Sequence, residues 1–286
     1  MKCWICQINE ANSEEHKFKA SDIRRQFGKS FDALYYDGEN LHPFNSPKDK
    51  LIKFPKIICT DCNNNKTRNA DDAYTIFFEN ISKINSMIEL TEHINYNEIF
   101  SSNWKSSKID LYRYFAKHAG CKIMTSNFVD QVDISQLRLF ILGQEYVTNF
   151  YVRIFFNEIT KEFTEQLKIN PHDKYRSNIA FGSTIYVGES NDIGFAGSII
   201  NGSLRIEWYY GNQNQFNRSI DFSTESDFVE KVNIEDYYPK AFTDFINEDF
   251  FSYLNFGKYH LNEELLKNDY RTAFRSLTVQ TKYPNF

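Results

Sequence analysis

The chain carries two Cys-x-x-Cys pairs, Cys3/Cys6 and Cys59/Cys62. Four thiolates at this spacing close a tetrahedral zinc site that leaves no open position. Such a zinc staples a fold too small to bury its own core. A redox reading of Cys-x-x-Cys needs one motif opening a helix within a βαβ pattern. Here there are two motifs, a long polar stretch separates them, and neither lies in a βαβ pattern. The fifth cysteine, Cys121, stands apart in Ala119-Gly120-Cys121-Lys122 and is read as a buried free thiol. The start, Met1-Lys2-Cys3-Trp4-Ile5, turns polar by Gln7 and has no secretory h-region. The expected compartment is the cytoplasm, where thiols stay reduced and four cysteines favour metal over disulfides.

With 286 residues the chain has room for one small module and one ordinary domain. The expected division is a zinc-stapled module over residues 1–95 and a second domain over 96–286 that serves specificity, regulation or oligomerisation. The fold class expected overall is α+β. No apolar run approaches the length of a membrane span. The net charge of −5 divides unevenly. Residues 1–70 hold 12 Lys+Arg against 9 Asp+Glu, a net of +3, and the remainder holds 21 against 29, a net of −8. Phosphate contact is therefore expected in the front.

Along the chain, residues 1–16 read as two short extended pieces joined by the first knuckle. Ser21 caps a short helix over 21–27 that Gly28 ends. Residues 30–50 are rich in Gly, Asn, Asp, Pro and Ser and read as a loop. Residues 51–58 are extended. A helix starts near 69–71, with Ala73, Phe77, Ile81, Ile84 and Ile88 on one face. Further helices are expected over 109–119, ended by Gly120, and over 135–142, ended by Gly143. A strand falls within 146–156, and Asn201-Gly202 between two β-prone runs gives a hairpin over 194–210. Residues 235–270 read as helical.

The pieces Cys3-x-x-Cys6, Glu15-His16 and Cys59-x-x-Cys62-Asn63-Asn64-Asn65-Lys66 together resemble the HNH nuclease family, over roughly the first 80 residues. The resemblance implies a ββα-metal core, a structural Zn²⁺ on the four cysteines and a catalytic Mg²⁺ or Mn²⁺. It implies endonuclease activity on phosphodiester bonds, with DNA as the expected partner and a host-defence or toxic-effector role as one outcome. His16 takes the role of the base, since a neutral imidazole suits proton removal near pH 7. Glu15 takes that of the carboxylate ligand, with Glu14 as its rival should strand alternation shift by one. Asn63 is the helix-start ligand, with Asn64 as its rival, and Lys66 and Arg68 are placed for phosphate contact. The segment between His16 and Cys59 exceeds a minimal core. The middle Asn of the pattern has only Asn40 and Asn45 as candidates.

His42, His93, His118, His172 and His260 lack a partner motif and are read as structural or surface groups. His118 stands out among them, because it shares a helix end with Cys121. Each chain holds one expected site, so a double-strand cut would need a homodimer or two successive nicks. A regulatory partner acting through 96–286 is a further expectation. The competing class is a catalytically idle zinc module that recognises nucleic acid or protein.

Overall fold

A computed structural model describes residues 1–27, 33–36, 41–157, 179–187, 193–201, 204–211 and 220–232. The chain is a mixed α+β protein. Its elements are α1 (Ala20–Phe27), β1 (Ala33–Tyr36), β2 (Leu41–Phe44), α2 (Arg68–Thr91), β3 (His93–Asn95), α3 (Tyr96–Phe100), α4 (Trp104–Met124), α5 (Ser135–Ile141), β4 (Phe150–Asn157), β5 (Ile179–Val187), β6 (Ile193–Asn201), β7 (Leu204–Gly211) and β8 (Ser226–Val232). Six strands form one sheet in the order β3-β8-β4-β7-β6-β5. β8 runs parallel to β4, and the other neighbours are antiparallel.

The apolar periodicity of α2 drives its packing. Ala73, Phe77, Ile81 and Ile88 are buried in the core as the spacing predicts, while the Ile84 side chain lies outside the described residues. The partner of that face is α4. Tyr74 stacks on Tyr114 at 3.9 Å, which fixes the two helices side by side. The other side of α4 meets the sheet, where Ile154, Phe156, Phe195, Ile206 and Trp208 join the same apolar cluster. That cluster runs from Cys3 to Val229 and continues through residue 95 without a break.

Several local expectations change. α4 does not stop at Gly120 but continues to Met124. Gly120 marks a close approach: a Cβ there would lie 2.1 Å from the Trp4 indole, so only glycine lets the first knuckle lie on the helix. α1 starts at Ala20, which puts Ser21 inside the first turn instead of at the cap, and its buried hydroxyl has no hydrogen-bond partner among the described residues. Gly28 lies outside the described residues. Within 30–50, β1 and β2 pair antiparallel where the composition suggested only loop. Their short length and Pro43 hid the strand pattern. Residues 50–52 form a 3-10 turn capped by Asp49, and extended chain follows from Lys53. α5 ends at Ile141, and Gly143 follows with a φ of +121°. The predicted hairpin is β6–β7, with Asn201 opposite Leu204 and its turn outside the described residues. The helix expected over 235–270 also lies outside them.

A buried lysine fixes the start of α4. Lys108 is wholly buried, and its Nζ donates to Asp227 Oδ1 at 2.7 Å and to the carbonyls of Asp221 and Thr224. Asp227 Oδ2 also accepts from Tyr96 at 2.7 Å and from Tyr112. Among the described residues, the partners of this charge come from β8, from the segment leading into it and from neighbouring aromatics. Burying an ammonium is tolerable only under such saturation.

Candidate functional site

The first knuckle is a tight turn. Gln7 takes a left-handed φ of 58°, its N–H donates to the Cys3 carbonyl, and the Cys3 N–H donates to the Asn9 carbonyl. The Trp4 N–H reaches the Ile57 carbonyl at 3.1 Å and brings the turn to the second cysteine pair. There the Cys62 N–H points at Cys59 Sγ, and Asn9 Nδ2 approaches the same sulfur at 3.7 Å. All four thiols are buried, and their sulfurs lie within 4.8 Å of one another. Zinc–sulfur bonds of about 2.3 Å set tetrahedral sulfurs about 3.8 Å apart. Cys6 and Cys59 have their sulfurs 3.8 Å apart. The cluster can hold a metal ion such as zinc.

Burial and neighbouring groups act differently on the thiols. Burial pushes Cys62 and Cys3 up. Burial opposes ionisation at Cys6 too, but the backbone N–H groups of Asn9 and Ile8 and the neighbouring thiols outweigh it and lower Cys6 to about 6. Cys6 thus ionises readily, while Cys3 and Cys62 need a metal's charge to ionise beside it.

Residues 13–17 and 52–58 lie antiparallel through bridges Ser13↔Ile58 and His16↔Lys53. Main-chain hydrogen bonds Phe54 N–H to Glu15 O and Lys17 N–H to Ile52 O close the pair. Consecutive side chains point to opposite faces, so Glu15 and His16 diverge. His16 is partly buried, and its Nε2 lies 3.1 Å from the Pro47 carbonyl. A carbonyl only accepts, so the proton sits on Nε2 and the lone pair on Nδ1. Burial lowers its pKa against the pull of that carbonyl, and Lys53, Arg24 and Lys117 push in the same direction as burial. His16 is therefore a neutral imidazole at pH 7.

Asn63 opens the helical segment after Cys62, in a π-turn over Cys62–Lys66 that leads into α2. Its Nδ2 donates to Ser13 Oγ at 3.0 Å and to the Glu14 carbonyl at 3.2 Å. The helix start is thereby tied to the Glu15-His16 strand. With the amide N–H groups so used, Oδ1 is the atom that suits a cation. Asn64 is exposed. Glu14 lies 3.4 Å from Lys53 Nζ.

Glu15 enters a buried charge cluster. Its Oε1 is 3.3 Å from Nζ of Lys117, a residue of α4. The same ammonium donates to both carboxylate oxygens of Asp71 at 2.9 and 3.1 Å, and Thr67 Oγ1 lies at 3.4 Å. Thr67 in turn donates to the Asn63 carbonyl, and Lys19 donates to the Asp71 carbonyl. Burial pushes the Glu15 carboxyl up, Lys117 pulls it back, and Asp71 adds to the rise. Burial would lower Lys117, but Glu15 and Asp71 outweigh it and raise it, so the ammonium stays charged. Two carboxylates, Glu15 and Asp71, thus share one buried ammonium.

Lys66 and Arg68 are exposed and lie beside acids, at 3.7 Å from Asp61 and 3.8 Å from Asp72. Such exposed pairs hold their partners weakly, so both cations stay accessible to phosphate. Asn45 is exposed, two residues before Pro47, and Asn40 lies outside the described residues. His42 is half-buried, and His93 is exposed with its ring against Phe228. His172 and His260 lie outside the described residues. His118 is buried on α4 with Nε2 3.2 Å from the Lys17 carbonyl, and Cys121 is buried one turn on.

The sequence reading missed Asp71, Lys117 and Thr67 as parts of this cluster. Asp71 suits a helix dipole equally well. Lys117 had a usable signal: it stands three residues after Tyr114 and four before Cys121, on the buried stripe of α4. A charge on such a stripe calls for a partner. Among the described residues no helix is long and apolar enough to cross a membrane. Comparisons with models of known protein families, with curated proteins and with solved structures found no match.

Proposed function

We propose that the chain is a metal-dependent endonuclease of HNH type that hydrolyses phosphodiester bonds, with DNA the first substrate to test. The observation that supports this most is the setting of His16. Its Nε2 proton is committed to the Pro47 carbonyl, and burial keeps the ring neutral. Nδ1 is then a base matched to taking a proton from water near pH 7. A second support is the tie between the start of the helical segment and this strand. Asn63 is fastened to the strand that carries Glu15 and His16.

In this reading Glu15 and Asn63 hold a Mg²⁺ or Mn²⁺ ion. When bound, such an ion supplies positive charge to the phosphate and to the leaving oxygen. The four cysteines hold Zn²⁺, which is closed to substrate and only fastens the first knuckle to the start of the helical segment. Lys66 and Arg68 meet phosphate oxygens.

Plasmid cleavage by wild type and His16→Ala, with Mg²⁺, Mn²⁺ or EDTA, tests the proposal. Nicking or linearisation should require both the divalent ion and His16, with a rate loss of at least a hundredfold in the variant. Equal rates would remove His16 as the base. A zinc module that only binds is the second reading, and one observation favours it: Lys117 already neutralises Glu15. Its signature is retention of DNA with no cleavage by zinc-loaded wild type in either metal.

A further inference from the structure

The paired segments that carry His16 sort their side chains by face. Glu15, Ile52 and Phe54 are buried on one face, while Glu14, His16 and Lys53 are only partly buried on the other. His16 and Lys53 stand directly opposite each other. The flanking main-chain bonds, Lys17 N–H to Ile52 O and Phe54 N–H to Glu15 O, make them a non-hydrogen-bonded pair. Side chains stand closest in such pairs, with about 4.5 Å between Cα atoms. Lys53 Nζ lies 3.4 Å from Glu14 Oε2, a carboxylate two residues before His16. The Lys53 side chain is 16 % exposed, against 42 % for Lys66 and 76 % for Arg68, so its packing places it where theirs does not. The charges that act most on His16 are all cations: Lys53 first, then the exposed Arg24 and Lys117. A neutral base in a positive field suits a substrate that is an anion.

We propose that Lys53 binds the reacting phosphate of DNA in front of His16, and that Glu14 is the carboxylate that holds Lys53 while no DNA is bound. This rests on the nuclease reading and adds to it the contact at the phosphate under attack. A phosphodiester carries one negative charge, so the ammonium exchanges one anionic partner for another as DNA arrives. The exchange keeps the lysine paired in both states, and an ammonium meets a phosphate as a point charge that needs no fixed fork geometry. A lysine that only pairs with Glu14 makes a different prediction: its replacement lowers stability and leaves the salt dependence of DNA binding as it was.

The test is binding of a fluorescent DNA duplex by the zinc-loaded full chain, read by anisotropy across a KCl series, beside plasmid cleavage at saturating protein with Mn²⁺. Lys53→Met should reduce the slope of log affinity against log salt by about 0.9, the share of one phosphate contact. It should also slow cleavage at saturation by about a hundredfold, as the loss of one charge-stabilising group does. Lys53→Arg should keep the wild-type slope. Glu14→Gln frees the ammonium and should tighten DNA binding with the slope unchanged. A wild-type slope in folded Lys53→Met overturns the proposal, and so does unchanged or weaker binding by Glu14→Gln. Should Lys53→Met yield no folded protein, Lys53→Gln takes its place under the same criterion. Cleavage by wild type with a wild-type slope and rate in Lys53→Met overturns this proposal and leaves the nuclease intact. The reduced slope without cleavage by wild type overturns the nuclease and keeps Lys53 as a phosphate contact. No DNA bound by any of the proteins overturns both.

Discussion

Gly120 lies inside α4, where alanine would ordinarily favour the helix by about 1 kcal/mol. Here the position is filled by another residue: the Trp4 ring stands where a Cβ would be, with three of its carbons under 3 Å away. Gly120→Ala should therefore destabilise the chain by about 1–3 kcal/mol, the usual cost of overpacking. Urea unfolding checks this, and the sign alone decides it, since a gain would mean the indole is free to move. In a double-mutant cycle, Trp4→Leu should relieve part of the penalty. From sequence Gly120 reads as a helix end, because glycine near a C-terminus is most often a cap. Nothing local to residue 120 announces a tryptophan arriving from residue 4. His118 gives a second prediction at this scale. Burial lowers it to about 3, below its ordinary value of 6.5. The unfolded chain thus binds the proton more readily, so this contribution is full above pH 6.5 and is lost as pH falls toward 3. Between pH 7 and 5.5 the loss from this one group is about 1 kcal/mol. Unfolding free energies measured at both pH values should fall less in His118→Gln than in wild type by that amount. Equal losses would show that His118 binds protons alike folded and unfolded.

At the scale of elements, the two knuckles and the paired segments 13–17 and 52–58 hold few regular hydrogen bonds. With isolated bridges in place of a ladder, the cysteine cluster is a main fastening for this part of the chain, beside the packing of Trp4 on α4. Structural zinc in small motifs is worth about 10 kcal/mol or more of folding free energy. Cys59→Ala removes one of four ligands and leaves three buried thiols. The variant should lose its zinc and show a lower melting transition, checked by metal analysis and circular dichroism. A normal melting profile with one zinc per chain would mean the cluster is not the fastening. This part of the molecule was the most legible in sequence, because metal spacing is a local pattern: Cys3, Cys6, Cys59 and Cys62 meet as their spacing predicts. The tie from Asn63 to the Ser13 hydroxyl and the Glu14 carbonyl was half legible. Its place after Cys62 put it at the helix start, but the π-turn that aims it at the strand was not coded by any single residue. β1 and β2 were missed because a four-residue strand containing Pro43 carries too little alternation to stand out from a loop.

At the scale of the whole molecule, α4 is the element that the front and the back share. Near its start Lys108 is bound to Asp227 of β8. Further along, Lys117 reaches Glu15 and Asp71, and Gly120 receives Trp4. The adjoining α5 sends Arg138 Nε to the Ile5 carbonyl in the first knuckle. Through Trp4 and Ile5 these contacts join residues 104–141 to the first knuckle. A sequence division at residue 95 rests on a change of pattern. The energetic question is what each side buries against the other. On α2, Tyr74, Phe77, Phe78 and Ile81 are at most 5 % exposed. Each buried side chain of this size is worth about 1.5–3 kcal/mol. Exposing four of them costs roughly as much as the entire stability of an ordinary domain, about 5–15 kcal/mol. Removing α4 also leaves Glu15 and Asp71 facing each other without Lys117. Residues 1–95 produced alone should therefore bind zinc through the knuckles yet fail to form a cooperative fold, with α2 largely unfolded. Thermal melting followed by circular dichroism, with zinc present, reads this directly. A sharp transition and full helix content in the 1–95 fragment would show that the front folds independently, and that the contacts of α4 bind two finished domains together.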